Sequence, residues 1–113
     1  MKILINVWYP PEKAKEVYNK FLEIEKTFPM DPSMIKPFIP WETWGTKSGL
    51  KDAGIFEVED EKFELAIDYF VRRLGRYAEA IKGYTFEIAG SITNEKGKAL
   101  IGKELTDLLI PNK

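Results

Sequence analysis

The sequence predicts an α+β domain built on a four-stranded antiparallel sheet. Apolar runs with two-residue alternation stand near both ends of residues 1–92, and two stretches between them repeat apolar residues at three- and four-residue steps. A proline-bearing extended segment followed by a second strand completes the set. The 113 residues suit one domain with a modest core, and 44% hydrophobic with 31% charged residues is the balance of a globular chain.

Residues 2–9, KILINVWY, are apolar and rich in β-branched side chains, and Pro10-Pro11 stops them as a first strand. Pro11 suits the first turn of a helix. Ala14, Val17, Tyr18, Phe21, Leu22 and Phe28 then form one apolar stripe, with Glu12, Lys13, Lys15, Glu16 and Lys20 outside it. After the loop FPMDPS, residues 35–46 read as extended. Pro37 and Pro40 cannot donate to a ladder, which confines this strand to a sheet edge. KSGLKD reads as an irregular hairpin loop and residues 53–58, AGIFEV, as the returning strand.

Asp60 stands at an N-cap position, with Glu61 and Glu64 suiting the helix dipole behind it. Phe63, Ala66, Ile67, Phe70, Val71, Leu74, Ala78 and Ile81 keep the helical period across Gly75 and up to Gly83. YTFEIAGSI alternates as a last strand, and GKALIGKELTDLLI suggests a short C-terminal helix in a tail, residues 93–113. The order over residues 1–92 is therefore βαββαβ. Its common solution is the ferredoxin-like arrangement, with both helices on one face of the sheet and the second strand at an edge.

Strand alternation sorts the two faces. Ile3, Ile5, Val7, Phe56, Val58, Tyr84, Phe86 and Ile88 should meet the helices, while Leu4, Asn6, Trp8, Ile55, Glu57, Thr85, Glu87 and Ala89 face away. A bare face carrying groups of this size calls for a cover, and a second copy supplies one with a single self-complementary patch. The expected partner is thus the chain itself.

The element order, NVWYPPEKAKEVYNKF after the first strand and the hairpin FIPWETWG…AGIFEVED before the second helix resemble the dimeric α+β barrel superfamily. The resemblance covers roughly residues 1–92. It implies two ferredoxin-like protomers packed sheet to sheet around a cavity. Members of that superfamily include cofactor-less monooxygenases, isomerases, and dehalogenating and haem-degrading enzymes. The histidine that some of them use is absent from this chain.

Trp41 and Trp44 lie three positions apart, so an extended segment sends them to opposite faces. One would close the core; the other would join Trp8 and Asn6 at the cavity, with Glu42, Glu57 or Glu87 accepting from an indole N–H. Glu57 and Glu87 are the carboxylates best placed to lose water beneath a second copy and to act as general base. The expected function is binding of a small hydrophobic or aromatic molecule. The alternatives are a cofactor-independent enzyme using a buried carboxylate and a purely structural module whose aromatics only fill core and interface.

Composition removes other classes. Cysteine, histidine and glutamine are all missing, which excludes thiol nucleophiles, disulfides and the usual zinc or haem ligand sets, and no metal or cofactor is expected. The formal net charge of -1 offers no field for nucleic acid or an anionic membrane, and no stretch approaches the roughly 20 apolar residues of a span. Lys and Glu enrichment suggests a cytoplasmic protein of a thermophile. GKALIGKE ends in Glu104 where a phosphate loop needs Ser or Thr. Arg72, Arg73 and Arg76 read as a solvated face, with Asp68–Arg72 and Arg76–Glu79 as helical ion pairs. EVEDEKFE lacks the spacing of a calcium loop.

Overall fold

The computed structural model describes residues 1–90. Strand β1 (Lys2–Tyr9) passes through a single 3-10 turn, Pro11–Lys13, into helix α1 (Ala14–Thr27). Strands β2 (Ile35–Thr46) and β3 (Gly49–Val58) follow, then helix α2 (Phe63–Ala80) and strand β4 (Thr85–Gly90). The strands pair antiparallel in the order β2-β3-β1-β4. The tail expected at 93–113, with GKALIGKE, lies outside the described residues.

β1 holds a central place because every second residue is apolar. Ile3, Ile5, Val7 and Tyr9 are buried, whereas Lys2 and Leu4 are exposed and Asn6 and Trp8 half-buried. The buried residues of both helices join those odd-numbered residues in one core, so both helices cover the same face. β2 is an edge strand, as its prolines require. Its register with β3 slips between Pro37 and Ile39 and again between Ile39 and Glu42, bracketing the two residues that lack an N–H.

The hairpin is tighter than the sequence suggests. Only Lys47 and Ser48 form the turn, closed by Thr46 Oγ1 donating to the Gly49 carbonyl at 2.7 Å and accepting the Ser48 N–H at 3.1 Å. Gly49 has φ +110°, a conformation open to glycine, and β3 starts there rather than at Ala53. Asp52 is consequently a strand residue with a fixed direction, opposite Thr43 and Val7.

α2 is turned about its axis from the expected stripe. It buries Ala66, Tyr69, Phe70, Arg73, Leu74 and Tyr77, and leaves Val71 and Ala78 exposed. The row Tyr69–Arg73–Tyr77 faces inward because its polar ends find partners. The last carbonyl beyond α1, that of Phe28, accepts from Tyr69 Oη at 3.2 Å and from Arg73 Nη1 at 3.1 Å, which satisfies a helix-end orphan. Arg73 Nη1 also donates to Tyr69 Oη at 3.0 Å, and its Nη2 pairs with Glu25. The solvated reading of Arg73 is therefore corrected: it is 5% exposed and fastens α2 to the end of α1. Arg72 does pair with Asp68 at 3.1 Å, while Arg76 sits 4.4 Å over the Phe28 ring. Asp60 opens the 3-10 turn Asp60–Lys62 ahead of α2, whose N-cap position is Lys62, and accepts from the Met1 ammonium at 3.0 Å.

α1 buries a narrow line, Val17 and Ile24, with Ala14 partly covered. Tyr18, Phe21 and Leu22 of its expected stripe remain exposed. Among the described residues no helix is long and apolar enough to cross a membrane, and no group of three or more acidic side chains is placed to hold a metal ion.

Candidate functional site

The narrow burial of α1 leaves a cleft between it and the sheet, at the end where β1 finishes and α2 ends. Its volume is about 290 Å³, at the lower edge of the roughly 300–1,000 Å³ typical of small-molecule sites. Tyr18 and Phe21 from α1 and Trp41 from β2 form aromatic walls, with Val7, Val17 and Leu74 between them. The polar lining converges from four elements: Tyr9, Thr43, Asp52, and Arg73 with Tyr77; Tyr84, just before β4, joins them.

Asp52 is the centre of this group. Thr43 Oγ1 donates to its Oδ1 at 2.8 Å, and Tyr9 Oη donates to the same oxygen at 3.2 Å. Oδ2 receives no donor among the described residues and keeps access to solvent. Burial pushes the Asp52 carboxyl above the usual carboxylate range, against the opposing pull of the bonds from Thr43 and Tyr9. No ammonium or guanidinium forms an ion pair with it among the described residues. A carboxylate so placed is acceptor-rich, and protonating it is easier than for an exposed one.

Three tyrosines line the cleft as a stack. Tyr9 lies parallel to Tyr84 with centroids 6.1 Å apart, and Tyr77 parallel to Tyr84 at 5.0 Å. Burial raises the phenols of Tyr9 and Tyr77 to about 12, Tyr9 with added repulsion from Asp52, and raises Tyr84 further still. All three stay neutral hydrogen-bonding groups at neutral pH. The stack is aligned by the backbone beside it. Gly83 has φ +88°, and a β-carbon there would meet Pro10 Cγ at 2.8 Å, so the residues preceding Tyr84 and following Tyr9 are in close contact.

The structure places the sequence-derived candidates on two faces. Trp41 faces the helices, packing edge-on against Phe56 with centroids 5.4 Å apart, and lines the cleft. Trp44 lies on the opposite face, in one cross-strand row with Lys51 and Trp8, and the Lys51 ammonium stands 5.4 Å from the Trp8 ring. The next row on that face holds Glu42, Ala53, Asn6 and Glu87. Glu57 lies further along, opposite Lys2 and Lys36. Glu42, Glu57 and Glu87 are exposed in the single chain. Of the candidates, then, only Trp41 belongs to the cleft; Asn6, Trp8, Glu42, Trp44, Glu57 and Glu87 share the open sheet face.

The cleft's own polar residues were passed over by sequence reasoning. Asp52 follows Lys-Ser-Gly-Leu-Lys, which reads as loop, and Tyr77 falls outside an aliphatic stripe. The available signal was the spacing of Tyr69, Arg73 and Tyr77 by four, a helix face of long side chains with apolar stems. The chain matches no family model, and a search of curated proteins finds no match.

Proposed function

We propose that this protein binds a small aromatic or hydrophobic molecule in the cleft between α1 and the sheet. The observation that carries the reading is Asp52, held by two donors on one oxygen with none on the other among the described residues, and lining a pocket walled by Trp41, Tyr18 and Phe21. A few directional polar groups in an otherwise apolar concavity are what fix a small ligand's orientation. Ligand binding is tested by titrating a panel of small monocyclic aromatics while following tryptophan fluorescence and the thermal midpoint. Wild-type protein should respond with saturation, and Trp41→Ala should weaken the response about tenfold or more. A flat response across the panel overturns the reading.

The same proposal includes a ferredoxin-like protomer that pairs with a second copy through the open sheet face, in the manner of the dimeric α+β barrels. Strand–helix–strand–strand–helix–strand order and the sheet order β2-β3-β1-β4 support the protomer reading. Leu4, Phe38, Ile39 and Trp44 are all exposed on or beside that face in the single chain, which favours a cover. Pro37, Pro40 and the register slips blunt the outer edge of β2, so a partner is directed to the face rather than to strand addition. In such a dimer Asn6, Trp8, Trp44, Glu57 and Glu87 would meet the partner or a chamber between the sheets. Sedimentation should give a dimer that Leu4→Lys converts to monomer; a monomeric wild type removes this part of the proposal. An enzyme reading also has a specific support, because Asp52 in the cleft is a desolvated carboxylate of the kind that serves as general base.

A further inference from the structure

Asp52 sits in an environment that lacks one component. Its two protein donors are neutral hydroxyls, and both address Oδ1. Two lysines of the flanking elements and the guanidinium that lines the cleft are committed elsewhere. Lys51 points to the opposite face, over the Trp8 ring. Lys13 pairs with Glu16 at 3.2 Å. Arg73, at the floor of the cleft, is held by Glu25, the Phe28 carbonyl and Tyr69 Oη. The titratable and charged groups that line the cleft with Asp52 are thus Tyr9 from β1, Tyr18 from α1, Arg73 and Tyr77 from α2, and Tyr84 ahead of β4; the only charged one, the guanidinium, is matched by Glu25.

The remaining walls are ring faces and edges: Tyr18, Phe21 and Trp41, beside the stack of Tyr9, Tyr84 and Tyr77. Aromatic faces carry negative charge density and attract an organic cation, most strongly where water is excluded. An anion with no ion-pair partner among the described residues, in a cleft lined by aromatic rings, attracts a cation and disfavours an anion. A metal ion is a poor fit, because one open carboxylate oxygen with neutral phenols falls short of the oxygen ligands that a hard cation takes. The space admits a compact ligand, about the size of one substituted ring.

We infer that the cleft selects a small aromatic amine, its ammonium paired with Oδ2 of Asp52 and its ring held among Trp41, Phe21 and the tyrosines. This rests on the binding function proposed above and names the ligand class. A charged pair in a half-buried site strengthens a hydrogen bond well beyond its neutral counterpart. Desolvation of the Asp52 carboxyl agrees with the inference, since a bound ammonium would restore what burial removes.

The test compares three probes of one shape: 2-phenylethylamine, 2-phenylethanol and phenylacetate, each titrated calorimetrically into the full-length wild type at neutral pH. The amine should bind about tenfold or more tighter than the alcohol, and the acid weakest. The amine's advantage should fade as the pH falls and Asp52 takes a proton, while the alcohol's affinity stays level. Asp52→Asn, which keeps an oxygen for Thr43 and Tyr9, should reduce the amine to the alcohol's affinity. Equal binding of amine and alcohol by the wild type overturns the inference and leaves the aromatic site standing. A preference that survives Asp52→Asn also overturns it. Failure of all three probes to bind takes down the inference together with the site reading, so the two failures are told apart.

Discussion

The two ends of the layered core are built from different chemistry although the same strands and helices run through both. At the end where β1 begins, Ile3, Ile35, Phe56, Val58 and Phe70 are almost wholly enclosed, and the Phe63 ring lies so close to Gly90 that a β-carbon there would fall 2.2 Å from it. At the end where β1 finishes, Tyr9, Thr43, Asp52, Tyr77 and Tyr84 replace hydrocarbon, and α1 stands off far enough to leave a cleft. The first end supplies cohesion by excluding water from apolar surface. The second gives up part of that cohesion to hold polar groups in fixed positions, the pattern expected where a site is cut into a core.

Alkali should break the contrast most completely. Tyr9 and Tyr77 hold their protons to about pH 12 in the folded chain, against 10.0 for a free phenol. Their contribution to stability is therefore full below about pH 10 and is lost as the pH rises through about 12. Tyrosinate absorbance and loss of near-ultraviolet dichroism should rise together in that window. Ionisation of these phenols well ahead of unfolding would show that the tyrosine end is open water.

A substitution at the closed end comes next in size. Phe56→Ala removes a 1%-exposed ring that touches both Phe70 and Trp41, and should cost about 3–5 kcal/mol in denaturant unfolding. Asp52→Asn tests the opposite end and carries the opposite sign. Because the native carboxyl is raised above 3.8, its favourable contribution is complete only below that value and is lost as the pH climbs through the native pKa. An amide that never ionises should therefore raise stability slightly at neutral pH and confer nothing in strong acid, which denaturant unfolding at the two pH values would read. A uniform loss at every pH would mean that Asp52 serves structure alone. Tyr84→Phe should be the mildest, within about 0.5 kcal/mol, since its hydroxyl has no protein partner among the described residues.

The same division explains what the sequence made legible. Elements whose burial is aliphatic declared themselves: β1 by Ile3, Ile5 and Val7, the β2 edge by Pro37 and Pro40, and the opposite aims of Trp41 and Trp44 by their spacing. Reading by hydrophobic period misplaced the polar end, because Tyr77 and Arg73 count as surface in such a period while their stems pack like hydrocarbon. Phe21 and Tyr18 erred in the other direction, as apolar residues that line an open cleft instead of a filled core. Asp52 was hidden by turn residues that occupy only two positions of the hairpin. Pattern reading finds where water is excluded; it does not find where a fold keeps room for something else.

The close approach of Pro10 and Gly83 has a consequence for how this cleft behaves. These residues meet through backbone shape and ring carbons, with no charge and no exchangeable proton in the contact. Acid, salt or a charged guest leaves such a clasp untouched, whereas Asp52 in the cleft answers to all three. The backbone that carries Tyr9 and Tyr84 is therefore fixed by shape while the carboxylate they accompany stays tunable, so the charge of the cleft can be edited without disturbing the rings that line it.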